Sequence, residues 1–404
     1  MGLPNRGKMD RLLGIEIKRL CVFLATNQKT IMIHIFKRTL QSILLTALFF
    51  SAFQVLAKAP VLSKKELSVA PPRIIRTCCG FGVEVGFAVI PFAKKTDITS
   101  REIMGPHTFM GHKDEKNGNI YTRRGGFLDM GHLRDCADWT AYLYNLIKAS
   151  QTDVQFTQTE LRNEGGAKSL TLNVPEDFDD EKIIQLAGKI SYDLSLWHEI
   201  STWFGTSYVP LVPERFSSFS PEDMYSNLMG VHLGMRAIRS NLDYNEAMTA
   251  ELNKMLDSLE AVNTEAETFD AMLKVNQVWY TNEKRYPSKN LVLKRYIDLH
   301  SDFSPWLVPG YDSQLPPHLL RKPDSTLSKY YELSLKLNFR FPIDSIISER
   351  DDRIITNNDF DIFVDFIQTE INKEAVLEKR KPSKKEDKAE TKNKSKKNKT
   401  PITR

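Results

Sequence analysis

The chain has 404 residues, 41% apolar and 10% aromatic, enough to bury a substantial core in one large domain or two ordinary ones. Its formal charge of +5 is unevenly spread: residues 379–404 carry +9 and residues 1–58 carry +7, which leaves residues 59–378 near −11. An acidic body with basic ends argues against a nucleic-acid-binding fold, whose basic patch belongs on the fold itself, so no nucleic acid is expected as a partner.

Residues 32–59 read MIHIFKRTLQSILLTALFFSAFQVLAKA. Lys37 and Arg38 form a charged start, 43–56 a short apolar run, and small residues follow at Ala57 and Ala59. This is the pattern of a secretory signal peptide over 32–57, cleaved after Ala57, and it predicts a periplasmic or secreted protein. The apolar run is short for a bilayer span, so no stable membrane span is expected after cleavage. Residues 1–31 read as an over-extended start or leader, with Met32 as a plausible true start.

Cys21 precedes the cleavage point, and Cys78, Cys79 and Cys136 follow it. An odd count in an exported chain implies one disulfide plus a free thiol, or no disulfide. Cys136 with Cys78 or Cys79 is the candidate pair, since a bridge between adjacent cysteines strains the disulfide.

Residues 58–77 read as an extended lead-in and 78–375 as a globular domain. Within it, 78–93 is apolar and β-branched enough for one or two strands. Residues 94–117 are loop-like, 119–124 a short strand, and 129–150 a helix. The alternation at 152–159 and 168–174 around Gly165-Gly166 predicts a β-hairpin. A long helix over 180–204 stops at Gly205. Ser220-Pro221-Glu222-Asp223 opens the next with a cap, a proline at the first position and acids in the first turn. One or two helices over 243–282, a strand within 326–341 and an amphipathic helix over 358–374 complete it. The class is α+β: a helix-rich single globular domain with small antiparallel β elements. Residues 376–404 are Lys-rich with almost nothing apolar, a disordered tail that could hold the protein to anionic envelope polymers or simply be solvated.

Two stretches concentrate chemistry. In 125–142, GGFLDMGHLRDCADWTAY, helical spacing places Asp129, His132, Asp135, Cys136 and Trp139 on one arc of roughly 120°. Arg134 and Asp138 fall on the other side and read as solvent-facing. In WHEISTWFG, residues 197–205, His198-Glu199 begins like the zinc-protease motif HExxH, but Thr202 stands where the second histidine belongs. His132 from the other helix could supply that missing nitrogen. A site of His132, His198 and one of Asp129, Asp135 or Glu199 has the two-histidine, one-carboxylate composition of a hydrolytic zinc site, with Glu199 the candidate base. The competing reading is a helix cap at Asp129 and a buried hydrogen-bonded network. His107 and His112 are loop histidines, His232 reads as packing, and Ser220–Asp223 as capping alone. A cysteine activated by His132 is a further catalytic option.

The runs YTRRGGFLDMGHLRDCADWTAYLY, WHEISTWFG and RFSSFSPEDMYSNLMG, in that order, resemble the bacterial family called domain of unknown function 4056. The resemblance covers about 73–372 and implies a bacterial envelope protein, with no established activity to carry over. Two readings therefore stand: a metal-dependent hydrolase, with zinc the candidate ion, or a non-catalytic periplasmic binding or structural protein.

Overall fold

The computed structural model describes residues 59–76, 97–207, 214–281, 292–297, 301–348 and 352–379. The signal pattern, Cys78 and Cys79, the expected strands at 78–93 and the basic tail lie outside these residues.

Strands β1 (Asn119–Thr122) and β2 (Gly126–Asp129) form an antiparallel ribbon in which Ile120 faces Leu128. The second strand runs directly into helix α1 (Met130–Ser150). Asp129 makes the junction: it ends β2 with extended backbone, and its side chain accepts from the amides of Gly131 and His132 as the N-cap. Every residue from Met130 to Tyr144 is buried, so α1 is the axis of the fold and not an amphipathic surface helix.

Helices α2 (Asp180–Trp203) and α3 (Pro221–Arg239) pack against α1 and against each other. The α1–α3 approach is made possible by glycines one turn apart. A Cβ on Gly230 would lie 2.0 Å from the Leu133 carbonyl oxygen, and one on Gly234 2.8 Å from that of Ala137. Glycine costs helix stability, by about 1 kcal/mol relative to alanine; here it lets two backbones touch. Helices α4 (Tyr244–Ser258) and α5 (Glu265–Lys274) extend this assembly.

The hairpin of β3 (Gln158–Leu161) and β4 (Gly166–Leu172) begins later than its alternation predicts, because residues 154–156 form a helical turn capped by Asp153. Strands β5 (Tyr331–Leu337) and β6 (Ile354–Thr356) complete an antiparallel sheet in the order β3-β4-β5-β6. Tyr331, Leu333, Leu335 and Leu337 all face inward, the period-2 pattern of a half-buried strand. Helix α6 (Phe360–Lys379) closes over α2, where Trp197 stacks on Phe341 at 5.5 Å and on Phe360 at 5.6 Å. The architecture is the expected single α+β domain. No described helix is long and apolar enough to cross a membrane.

Candidate metal centre

His132 sits in the first turn of α1, and His198 and Glu199 near the end of α2. The two imidazole centroids are 5.8 Å apart. His132, His198 and Glu199 each bring a ligand atom within 4.8 Å of the other two. The two helices therefore do bring together the histidines that the sequence separates.

Each ring has a carboxylate at Nδ1. Asp129 Oδ2 lies 3.1 Å from Nδ1 of His132, and Glu164 Oε1 lies 2.6 Å from Nδ1 of His198. Glu164 comes from the β3–β4 loop and is held by Lys168 at 2.5 Å. Burial alone would raise its pKa, but Lys168 and His198 outweigh burial and hold it well below the usual carboxylate range. Glu199 is fixed as well. Its Oε2 accepts from the Phe219 amide at 2.7 Å and its Oε1 from Asn227 at 3.3 Å. Thr202, in the place of the HExxH histidine, turns its hydroxyl back to the carbonyls of His198 and Glu199.

A second group meets His132 at Nδ1. Asp129, His132 and Asp223 also place ligand atoms within 4.8 Å of one another, with Asp223 Oδ1 at 3.5 Å from His132 Nδ1. The reading of Ser220–Asp223 as capping alone is thus incomplete. The Ser220 hydroxyl makes no cap bond and donates to Glu222 Oε1 at 2.8 Å, while Glu222 and Asp223 are buried at 0% and 2% exposure. Burial pushes both carboxyls well above their ordinary range. The charge of Asp223 adds to this at Glu222; at Asp223, His132 opposes it while Glu199 and Asp129 reinforce it. The acids after a Ser-Pro helix start look like dipole partners in sequence, so nothing local marked them as buried.

Asp135 belongs to neither group. Its oxygens accept from Arg73 Nη1 at 2.5 Å and the Ile75 amide at 2.8 Å. The buried Cys136 thiol makes no disulfide among the described residues and donates to Asn227, and burial pushes its pKa up to about 11 against the pull of Arg73. A thiol held protonated is a poor nucleophile, which weighs against Cys136 in the thiol option. Cys78 and Cys79 lie outside the described residues.

Arg134 and Asp138, expected in solvent, are both fully buried. The lead-in and the 97–117 segment fold over that side of α1 and supply partners from a distance. Arg76 reaches Glu115 at 2.7 Å and Asp138 at 3.0 Å, and His107 Nε2 lies 2.9 Å from Asp138 Oδ1. Arg134 donates to the carbonyls of Gly105 and Pro106. His107 is thus a buried anchor, while His112 is exposed and caps a short turn through Asp114. His232 Nε2 donates to the Arg321 carbonyl, 2.7 Å away, as a packing residue does.

A cavity of about 360 Å³ reaches the centre from one side, with Arg73, Glu164, Lys168, His198 and Thr202 among its lining residues. His198 is the ring that meets it; His132 and Glu199 lie deeper, each 1% exposed.

The model of the family described as Protein of unknown function (DUF4056) matches residues 66–309. The chain belongs to that family. The match starts a little before the expected Arg73 and ends well before Asn372, so α1, α2, α3 and both residue groups lie inside it, while β5, β6 and α6 lie beyond. No curated protein and no solved structure matches the chain.

Proposed function

We propose that this protein is a metal-dependent hydrolase whose ion is held by Nε2 of His132, Nε2 of His198 and one oxygen of Glu199. One observation carries the reading: two rings from different helices lie 5.8 Å apart, and each has its Nδ1 turned to a carboxylate. At His198 the hydrogen bond from Nδ1 to Glu164 fixes the tautomer and leaves Nε2 with its lone pair, as metal-ligating histidines require, while at His132 the Asp129 carboxylate lies close to Nδ1. Two imidazoles and one carboxylate form the ligand set of a catalytic zinc site with an open position.

The ion would lower the pKa of its own bound water to about 7 and so supply the nucleophile. Glu199 acts as a ligand in this reading, since its two hydrogen bonds hold it still. Asp129 and Glu164 orient the rings. A cavity of about 360 Å³ suits a small molecule or one end of a larger one. The signal-like pattern at 32–57 supports a location in the periplasm or outside the cell. Fractionation of cells expressing the full chain tests that placement, and recovery only with cytoplasmic markers would reject it.

The alternative is a non-catalytic envelope protein in which the same groups form a buried network between helices. The 1% exposure of His132 and Glu199 favours it. Elemental mass spectrometry of purified 58–404, wild type beside His132→Ala and His198→Ala, separates the two. Near-stoichiometric metal lost in both variants supports the hydrolase. A metal-free wild type after reconstitution, with both variants merely less stable, supports the network.

A further inference from the structure

We infer that Asp129, Asp223 and Nδ1 of His132 form a second divalent-cation site, at the other ring nitrogen of His132 from the one that holds the ion proposed above. The three ligand atoms lie within 4.8 Å of one another, with Asp129 Oδ2 at 3.1 Å and Asp223 Oδ1 at 3.5 Å from Nδ1.

The independent observation is an unsatisfied oxygen. Asp223 Oδ1 is buried, accepts no hydrogen bond from any described residue, and points into this group. Beside it, Oε2 of Glu222 is buried and equally without a hydrogen bond. No lysine or arginine among the described residues comes within ion-pair distance of Glu199, Glu222 or Asp223. An ionised carboxylate is costly to bury without a counter-charge, and here such groups adjoin one another. The Arg76–Glu115–Asp138 group on the far side of α1 shows how this fold normally treats buried acids: it pairs them. Around Asp223 no lysine or arginine does so; His132 is the charge partner that faces it, and either a proton or a bound cation neutralises the group.

The donor set names the class of ion. Two carboxylate oxygens and one imidazole nitrogen suit zinc or manganese; calcium and magnesium take oxygen ligands. Binding would require Nδ1 of His132 to be free of its proton, which would be released to solvent, so affinity should fall as pH is lowered. Glu222 would lend charge from outside the ligand set. This ion holds His132 in place and neutralises the acids.

The test uses chain 58–404, stripped of metal, titrated separately with Zn²⁺ and Mn²⁺, and assayed for bound metal after gel filtration. Wild type, Asp223→Asn, His198→Ala and the double variant are compared, with thermal melts in the presence and absence of metal to establish folding. The expected result is two ions in wild type, one in each single variant and none in the double. One ion that is lost in His198→Ala and kept in Asp223→Asn would overturn this site and leave the hydrolase reading standing. One ion lost in Asp223→Asn and kept in His198→Ala would support this site and reject the other. No ion in wild type would reject both.

Discussion

His198 and Glu164 are bound to each other at 2.6 Å, although one is on a long helix and the other in the turn of a hairpin. The pair gives the His198 ring one orientation and gives the cavity one of its walls. Carboxylates in this position support metal ligands, and their loss typically costs about 10–100-fold in metal affinity. Glu164→Gln is expected to weaken Zn²⁺ binding by about that factor, measured by competition with a chromophoric chelator. Lys168→Met is the control, because it breaks the ion pair to Glu164 and spares the contact to His198. Equal affinity in wild type and Glu164→Gln would show that Glu164 does not support the ligand.

Gly230→Ala should destabilise the protein even though alanine is the better helix former. The added methyl would meet the Leu133 carbonyl at 2.0 Å and Cys136 Cβ at 3.0 Å, both on the facing helix. Forcing α3 away from α1 is expected to cost about 1–3 kcal/mol, the range for overpacked cores. Gly234→Ala meets its nearest backbone atom at 2.8 Å and should cost less. Urea denaturation orders the two. A stabilised Gly230→Ala would mean that the helices do not touch there.

Arg73 spans the gap between the lead-in and both helices, bonding Asp135, Cys136 and Asn227. Burial already pushes the Asp135 carboxyl up to about 6 against the pull of Arg73. Arg73→Met leaves that carboxylate buried and unpaired, and should cost about 3–5 kcal/mol. Arg73→Met combined with Asp135→Leu should recover much of the loss, because a buried pair can often be exchanged for apolar residues at little net cost. A double variant as unstable as the sum of the two singles would show that the pair is not coupled.

Glu115 sets an acid limit. Burial would raise its pKa, but Arg76 and Arg134 outweigh burial and hold it at about 2. A depressed pKa stabilises the folded state above the unfolded value of about 4.3, and that contribution is lost as pH falls towards 2. Melting temperature should therefore drop between about pH 5 and 2, and Glu115→Gln, less stable at neutral pH, should show a shallower drop. Parallel melting curves for the two proteins across that window would count against the assignment.

Family, class and most helix ends were legible in the residues themselves, because they depend on local chemistry. Asp129 caps α1, Gly205 adopts the left-handed backbone that stops α2 at φ +86°, and Pro221 starts α3. Helical spacing also put Asp129 and His132 on one face. Spacing could not reveal what each face would meet. It assigned Arg134 and Asp138 to water because they point away from His132, but α1 is enclosed on every side. Their burial depends on Arg76, Glu115 and His107 arriving from distant segments to balance the charge. Glu164 behind His198, and Asp223 beside His132, are decided in the same way. A buried charge is tolerated only where the fold brings a partner to it, and that meeting is a property of the tertiary structure alone.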